Sequence, residues 1–375
     1  MKQIKIGIIG GGWMGTTHAR AYNNVRQHYG LDVVPILELI VDTCEEQAER
    51  VCRQYGFNRW STEVKDIFND PSIDLIVITT PNKYHVPLLI EAAKTGKAIF
   101  CEKPMGMNAG EAKKALDAVN RYNNITMCGF IYINNPMVVY ARELMESGKL
   151  GKVISFRGEY DMDYCAGKDI PHTWRQYDAV SGALGDIGAH MLSISNFLVG
   201  EIDEVCAKTQ IVYKQRKKSK DSNEMLPVEN DDEVNAIYTF KNGCLGTLVS
   251  SRVAPGNKVG ERFEVQLTKG AIRFDQERMN ELEVYDHSAP PENQGFKLIR
   301  AMPLHGEYGI FCTQAGLGIS YIDLMTIQAH KMLKAVSENK KIRPDVEDAY
   351  KINVLIDAML KSDREHRWVK VSECE

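Results

Sequence analysis

The chain has 375 residues, 44% of them hydrophobic and 26% charged, a balance that suits two globular domains or one large one. A formal charge of −4 leaves no basic field for nucleic acid or an anionic membrane, and no apolar run approaches the length of a membrane span. Nine cysteines without paired or metal-ligand spacing read as reduced thiols, so a cytoplasmic protein with no metal is expected.

The first elements alternate. Residues 4–9 (IKIGII) read as a buried strand, and a helix follows from about Met14 to His28. A second apolar run, 33–41, ends in Asp42, and the helical pattern EEQAERVCRQYG comes after it. DLIVITTP (74–81), AIFCEKP and ITMCGFIY read as further strands, separated by the helices VPLLIEAAKTG and AGEAKKALDAVNRY. Near-continuous apolar strands alternating with helices predict a parallel, doubly wound sheet over residues 1–130.

After residue 130 the pattern changes. Segments 152–162, 202–213, 233–241, 243–252, 261–268 and 271–274 alternate polar and apolar residues and are separated by turn signals. They predict a large, mainly antiparallel open sheet with one covered face, flanked by helices at 136–147 and 186–199. The charge-blocked stretch 214–233 reads as a solvated loop, and 321–338 and 346–364 as closing helices. The expected α/β chain therefore has two domains: 1–130 for a dinucleotide, and 131–375 for substrate and oligomerisation, with the final helix free to pack back on the first.

Chemistry concentrates in four places. Gly10-x-Gly12-x-x-Gly15 lies between a strand and a helix, where glycines permit the turn, the approach of backbone to a pyrophosphate, and helix–strand packing. Trp13 and Met14 belong to the same cofactor loop. Asp42 closes the second strand, where a carboxylate can hold ribose hydroxyls or cap the next helix. Thr43 and Cys44 follow, with no Arg or Lys for a 2′-phosphate, so NAD is expected rather than NADP. The second place is Thr79–His85 (TTPNKYH), at the carboxyl end of a strand, where Thr80, Pro81, Asn82 and His85 face the cofactor or cap the next helix. Glu102-Lys103-Pro104 is the third: a lysine fixed in extended backbone before a proline that can adopt a cis bond, suited to hydrogen-bond a substrate hydroxyl or, equally, to sit in a surface turn. Cys101, just before it, reads as a buried structural thiol. The fourth is SGALGDIGAH, where Asp186 and His190 share one face of a helix, an arrangement suited to acid–base work on a hydroxyl.

Together these motifs resemble the glucose–fructose oxidoreductase/inositol dehydrogenase (Gfo/Idh/MocA) family: G-x-G-x-x-G-x-x-H to His18, Thr80-Pro81 with His85, Glu102-Lys103-Pro104, and Asp186-x-x-x-His190. NGCLGTLVSSR and KGAIRF extend the likeness downstream. The resemblance implies an N-terminal Rossmann domain, a C-terminal α/β domain whose sheet mediates dimers or tetramers, and hydride transfer between NAD and a secondary alcohol of a sugar or cyclitol. It implies Lys103, Asp186 and His190 as catalytic residues, and Tyr132 as a substrate contact. Met191, Leu192 and Ser193 replace the acidic residues that follow the histidine in inositol dehydrogenases, and TWRQYDAVSGALGDIGAH is closer to members acting on glycosides or anhydrosugars, often at C3. There Trp174 can stack on a pyranose and Arg175 can bind hydroxyls or an anionic group. Ile131 and Ile133 depart from the commoner GFNYR form.

Two alternatives share these residues. In redox-neutral glycoside cleavage, oxidation at C3 acidifies C2–H, the C1 substituent is eliminated, water adds and the ketone is reduced again; Tyr132, Asp163 and Tyr164 would supply extra acid–base groups. The other is a non-catalytic NAD- or sugar-binding sensor, against which the joint presence of Lys103, Asp186 and His190 argues. His172, His305 and Tyr308 are further candidates for lining a sugar pocket.

Overall fold

The computed structural model describes residues 2–30, 33–177 and 179–375. The chain divides into two compact units, residues 1–131 with 320–351, and 132–319 with 352–375. Residues 320–351 thus group with the N-terminal unit.

In the first unit, β1 (Lys2–Ile9), α1 (Trp13–His28), β2 (Val33–Val41), α2 (Glu45–Tyr55), β3 (Arg59–Ser61), α3 (Lys65–Asn69), β4 (Leu75–Ile78), α4 (His85–Lys94), β5 (Ala98–Cys101), α5 (Ala109–Tyr122) and β6 (Thr126–Cys128) follow in order. The six strands form one parallel sheet in the order β3-β2-β1-β4-β5-β6. β4 and β5 are buried on both faces, which is why their sequences are unbroken apolar runs. β3, with two exposed residues of three, is an edge strand that apolar patterning does not reveal. The strand order reverses between β1 and β4, and an open α/β sheet offers its ligand crevice at the carboxyl ends there.

The second unit carries α6 (Pro136–Glu146), β7 (Val153–Asp161), α7 (Ala189–Leu198), β8 (Ile202–Gln210), β9 (Gln215–Lys217), β10 (Met225–Pro227), β11 (Glu233–Phe240), β12 (Leu245–Ser251), β13 (Gly260–Leu267), β14 (Gly270–Asp275), β15 (Glu281–Asp286), β16 (Lys297–Arg300), α8 (Tyr308–Phe311) and, near the C-terminus, β17 (Val369–Lys370). Nine strands form a mixed sheet, β16-β15-β14-β13-β7-β12-β11-β8-β17, in which β7 and β12 are parallel and the other pairs antiparallel. Alternating burial along β11 and β13 gives the sheet one covered face. Of the two closing helices, α9 (Tyr321–Glu338) belongs to the first unit, and α10 (Val346–Glu365) begins in the first and ends in the second.

One reading needs correction. The stretch 214–233 is not simply a solvated loop: β9 and β10 form a short antiparallel pair, and Arg216 in its basic run is fully buried. The Arg216 guanidinium donates to the carbonyls of Cys165 (2.7 Å) and Gly167 (2.8 Å), which satisfies a charge that burial would otherwise penalise heavily. Among the described residues no helix is long and apolar enough to cross a membrane.

Candidate active site

The cofactor motifs of the first unit all fall on the carboxyl edge of its sheet. Gly10 N–H donates to Val41 O, Thr79 N–H to Ile9 O, Glu102 N–H to Ile78 O and Gly129 N–H to Cys101 O, so each motif continues the ladder of the strand before it. Gly10 has φ +99°, a conformation L side chains rarely adopt, and Thr79 Oγ1 donates to its carbonyl at 2.8 Å. A Cβ on Gly15 would lie 1.9 Å from Gly10 O, so only glycine lets α1 start this close to the strand end. A Cβ on Gly12 would meet nothing within 4 Å. Gly12 is also the N-cap of α1 and contributes no side-chain cap to the first-turn N–H groups. That is a cradle fit for a pyrophosphate.

Asp42 does not cap α2, whose N-cap is Cys44 and carries no side-chain cap; its carboxylate binds backbone on either side instead. Its Oδ2 accepts Gly11 N–H at 2.7 Å and its Oδ1 accepts Cys44 N–H at 3.0 Å. Gln47 Nε2 donates to Gly11 O, so the Gly11 peptide is held from both sides. Each carboxylate oxygen has a second lone pair, which leaves acceptor capacity for ribose hydroxyls. Trp13 is largely exposed beside this loop, its ring stacked 6.0 Å from that of Tyr321; Met14 is half-buried.

Behind the loops lies a second layer. His85, 1% exposed, has Nε2 at 2.7 Å from Thr80 O and Nδ1 at 2.9 Å from Pro104 O. The ring therefore ties the Thr80-Pro81 loop to the Lys103-Pro104 loop and acts through them. Burial holds its pKa below the usual histidine value, against the opposing pull of the two carbonyls. Asn82 is buried in the short turn 82–84. Glu102 is also buried; its Oε1 accepts from His18 Nε2 at 2.8 Å and its Oε2 from Lys103 N–H at 3.3 Å. The Lys103–Pro104 bond is cis, and the Lys103 side chain is half-buried. Burial lifts the Cys101 thiol well above its ordinary pKa, which makes it inert.

In the second unit, Asp186 and His190 sit where a five-residue π-helical turn, Leu184–Gly188, runs into α7. A straight α-helix is expected from the four-residue spacing; the wider turn still keeps both side chains on one face, and such turns recur at functional sites. The entry is tight: a Cβ on Gly182 would lie 2.0 Å from Asp231 Oδ1. The His190 ring packs edge-on against Tyr132 (centroids 4.8 Å apart) and lies 6.2 Å from Tyr160. The hydroxyls of Tyr132 and Tyr160 are hydrogen-bonded at 2.9 Å. Tyr160 lies on β7 and has no distinguishing pattern in the sequence; its place becomes visible only once β7 is set against α7.

Asp186 Oδ2 accepts from the Tyr164 hydroxyl at 2.8 Å and lies 3.5 Å from Arg175 Nε. Burial, reinforced by the Asp186 charge, pushes the Tyr164 phenol well above its usual pKa, so it stays a donor. Trp174 is 36% exposed, and the Arg175 guanidinium covers one face of its ring at 4.4 Å.

Four further sequence candidates are engaged by other groups. Asp163 is bound by Lys258 Nζ at 2.6 Å in an exposed turn. His172 Nε2 donates to Pro227 O at 2.9 Å and packs on Tyr177. His305 packs on Tyr140, and the Tyr308 hydroxyl accepts Gly318 N–H at 3.0 Å. These contacts organise loops. Among the described residues no cluster of His, Cys, Asp and Glu is arranged to hold a metal ion.

Comparison with known proteins matches this architecture on both sides. Residues 4–130 match the model of an oxidoreductase family with an NAD-binding Rossmann fold, and residues 138–273 that of the Gfo/Idh/MocA C-terminal domain. The chain is 33% identical to levoglucosan dehydrogenase of Pseudarthrobacter phenanthrenivorans, over all of this chain and 99% of that one. It is 29% identical to scyllo-inositol 2-dehydrogenase (NAD(+)) of Bacillus subtilis, over 72% of this chain and 73% of that one. A solved levoglucosan dehydrogenase in complex with NADH and levoglucosan superposes with a TM-score of 0.95 at 33% identity, over 99% of this chain and 100% of that one. With its six-stranded nucleotide-binding sheet, its open mixed sheet and its motifs in register, this chain belongs to the Gfo/Idh/MocA family of NAD-dependent oxidoreductases.

Proposed function

We propose that this protein is a dehydrogenase that oxidises a secondary hydroxyl of a sugar, an anhydrosugar or a cyclitol, with a pyranose C3 hydroxyl the leading candidate. The observation that carries the reading is the second unit's cluster. An imidazole packed against a pair of hydrogen-bonded phenols stands on the same helical segment as a carboxylate that already holds a third phenol and faces a guanidinium. The full-length likeness to levoglucosan dehydrogenase supports the same substrate class.

The glycine loop, the α1 N-terminus and Asp42 would hold NAD, which when bound supplies the hydride acceptor. His190 takes the hydroxyl proton as general base. The Lys103 ammonium has the role the family resemblance implies for the lysine of this motif, a hydrogen-bond donor that stabilises negative charge developing on a substrate oxygen. Asp186, held by Tyr164 and Arg175, accepts a hydrogen bond from a neighbouring hydroxyl and so orients the ring. Redox-neutral cleavage gains no support from Asp163, whose carboxylate is engaged by Lys258. A cytoplasmic homodimer or homotetramer, assembled through the large sheet, belongs to the same proposal.

The test is a screen of the purified protein with NAD against levoglucosan, myo- and scyllo-inositol, free hexoses and glycosides, following absorbance of the reduced cofactor. Growth of NADH with one class establishes the dehydrogenase. Release of an aglycone without NADH growth would overturn it in favour of the redox-neutral cycle.

A further inference from the structure

The second unit contains a buried ion pair that the proposed reaction does not use directly. Arg252 follows β12, and Asn230-Asp231-Asp232 precede β11, so antiparallel pairing brings them together at one end of the sheet. The Arg252 and Asp232 side chains are both wholly buried. Such a pair is poor evidence for stability, because desolvation consumes most of the Coulombic gain. Its hydrogen bonds show where the arginine is directed.

Arg252 Nε donates to Asp232 Oδ1 at 2.8 Å, and Nη2 to Asn230 Oδ1 at 2.8 Å. Nη1 reaches Ser181 O at 3.1 Å and, more weakly, Arg175 O at 3.4 Å. Asn230 Nδ2 donates to that same Arg175 carbonyl at 2.7 Å. Asp232 Oδ2 accepts the Val212 and Tyr213 N–H groups at 2.8 and 3.0 Å, so the acid is itself fixed by backbone. The backbone carbonyl of Arg252 accepts Cys165 N–H at 3.0 Å, next to Tyr164. Asp231 carries the arrangement to the helix: its carbonyl accepts Ala183 N–H at 2.9 Å and its Oδ2 accepts Leu184 N–H at 2.8 Å, two residues before Asp186.

The guanidinium thus fastens two chain segments, the one bearing Arg175 and the entry to the turn bearing Asp186, while the backbone of the same residue holds the segment bearing Tyr164. Tyr164 and Arg175 both contact the Asp186 carboxylate. We propose that Arg252, with Asn230 and Asp232, is a positioning residue for substrate: it fixes the orientation of Asp186, and hence substrate affinity, without touching substrate or cofactor. This rests on the reading of Asp186 as the group that orients the sugar. A guanidinium is required because three directed donors diverge to a carboxylate, an amide and backbone carbonyls; a lysine ammonium keeps the charge on Asp232 but cannot span that fork.

The experiment compares Arg252→Lys and Asn230→Ala with wild type, and uses Val265→Ala, a buried truncation farther along the same sheet, as a structural control. Three quantities are read: KM and kcat for the best substrate of the screen, the Kd for NAD, and hydrogen exchange of peptides covering residues 174–186. The expected result for Arg252→Lys is a KM raised about tenfold or more, since small misplacements of orienting groups are costly. NAD affinity stays within about twofold, because the nucleotide is held elsewhere. Exchange in 174–186 accelerates. Asn230→Ala moves the same quantities in the same direction by less. It brings no charge into the interior, so it carries the test if Arg252→Lys does not fold. Wild-type KM and wild-type exchange in both variants overturn the proposal, as does a KM shift of equal size in Val265→Ala. If wild type oxidises no sugar or cyclitol, the proposed function falls on its own. The exchange data then decide: unchanged exchange in both variants removes the positioning role, and faster exchange specific to them retains it.

Discussion

Gly12 and Gly15 offer a paired test of the nucleotide cradle, because the structure gives them opposite sensitivities. Gly12 has φ −70° and ψ −166°, which alanine adopts freely, and its Cβ would meet nothing within 4 Å. Alanine there gains about 0.4–1 kcal/mol by restricting the unfolded chain. It loses a similar amount as a poorer N-cap, typically about 1 kcal/mol. The two offset, and a residual of under about 1 kcal/mol moves the melting temperature by no more than about 2–4 °C in a unit of this size. Gly15 differs: its Cβ would lie 1.9 Å from Gly10 O and 3.0 Å from Thr79 Oγ1. An ordinary contact is about 3.5 Å, so backbone must move by more than about 1 Å, an overpacking cost of about 1–3 kcal/mol or more. Circular-dichroism melting and calorimetric titration with NAD separate the cases. Gly12→Ala should melt like wild type and bind NAD at least about tenfold more weakly, because the methyl occupies the space into which the pyrophosphate backbone contact must come. Gly15→Ala should lose stability as well as affinity. Wild-type NAD affinity in Gly12→Ala would refute the cradle.

Lys103→Met should lower kcat by about two to three decades while NAD affinity changes little, as expected for a donor that acts on developing charge; unchanged turnover in a stopped-flow assay removes it from the chemistry. Asp42→Ala should weaken NAD and narrow its advantage over NADP, and tenfold tighter binding of NADP by the wild-type protein would defeat the role given to Asp42. Burial raises the Asp231 carboxyl from 3.8 to about 6, so between these values the folded state binds more protons than the unfolded one and stability falls as pH rises. The ionised group then costs about 3 kcal/mol above pH 6, to order of magnitude. Asp231→Asn should accordingly be more stable than wild type in urea at pH 7.5, with the difference shrinking toward pH 4; equal stability at pH 7.5 would show that the carboxylate is better satisfied than its surroundings indicate. His85→Ala, which unties Thr80 O from Pro104 O, should weaken NAD binding without abolishing it, and titration with NAD checks this.

Much of the first unit was legible because its signals are local. An unbroken apolar run is a strand covered on both faces, a glycine run between strand and helix is a cradle, and the charge closing β2 is placed by the strand itself. The helix expected at 321–338 forms over that span for the same reason: its apolar period is contained within it. Besides β15 and β16, which also went unread, the strands that escaped notice lack that information. β3, β9 and β10 are three residues long and β17 is two, too short for any period to show, and they exist because a neighbouring strand or hairpin supplies the other half of their hydrogen bonds. Asp186 and His190 could be read from their spacing, but their environment could not. Tyr160 comes to His190 from 30 residues away in the chain, and Arg252 reaches Asn230, Ser181 and Arg175 across 22, 71 and 77 residues. Composition assigns Arg216 to a solvated basic run, and only the carbonyls converging on its guanidinium make burial tolerable. Sequence alone nominated the residues proposed to carry chemistry, because residue type and local spacing are what it displays. The tertiary structure decided which of them are held, by what and how firmly, because desolvation and hydrogen-bond direction depend on partners that meet only when the chain is folded.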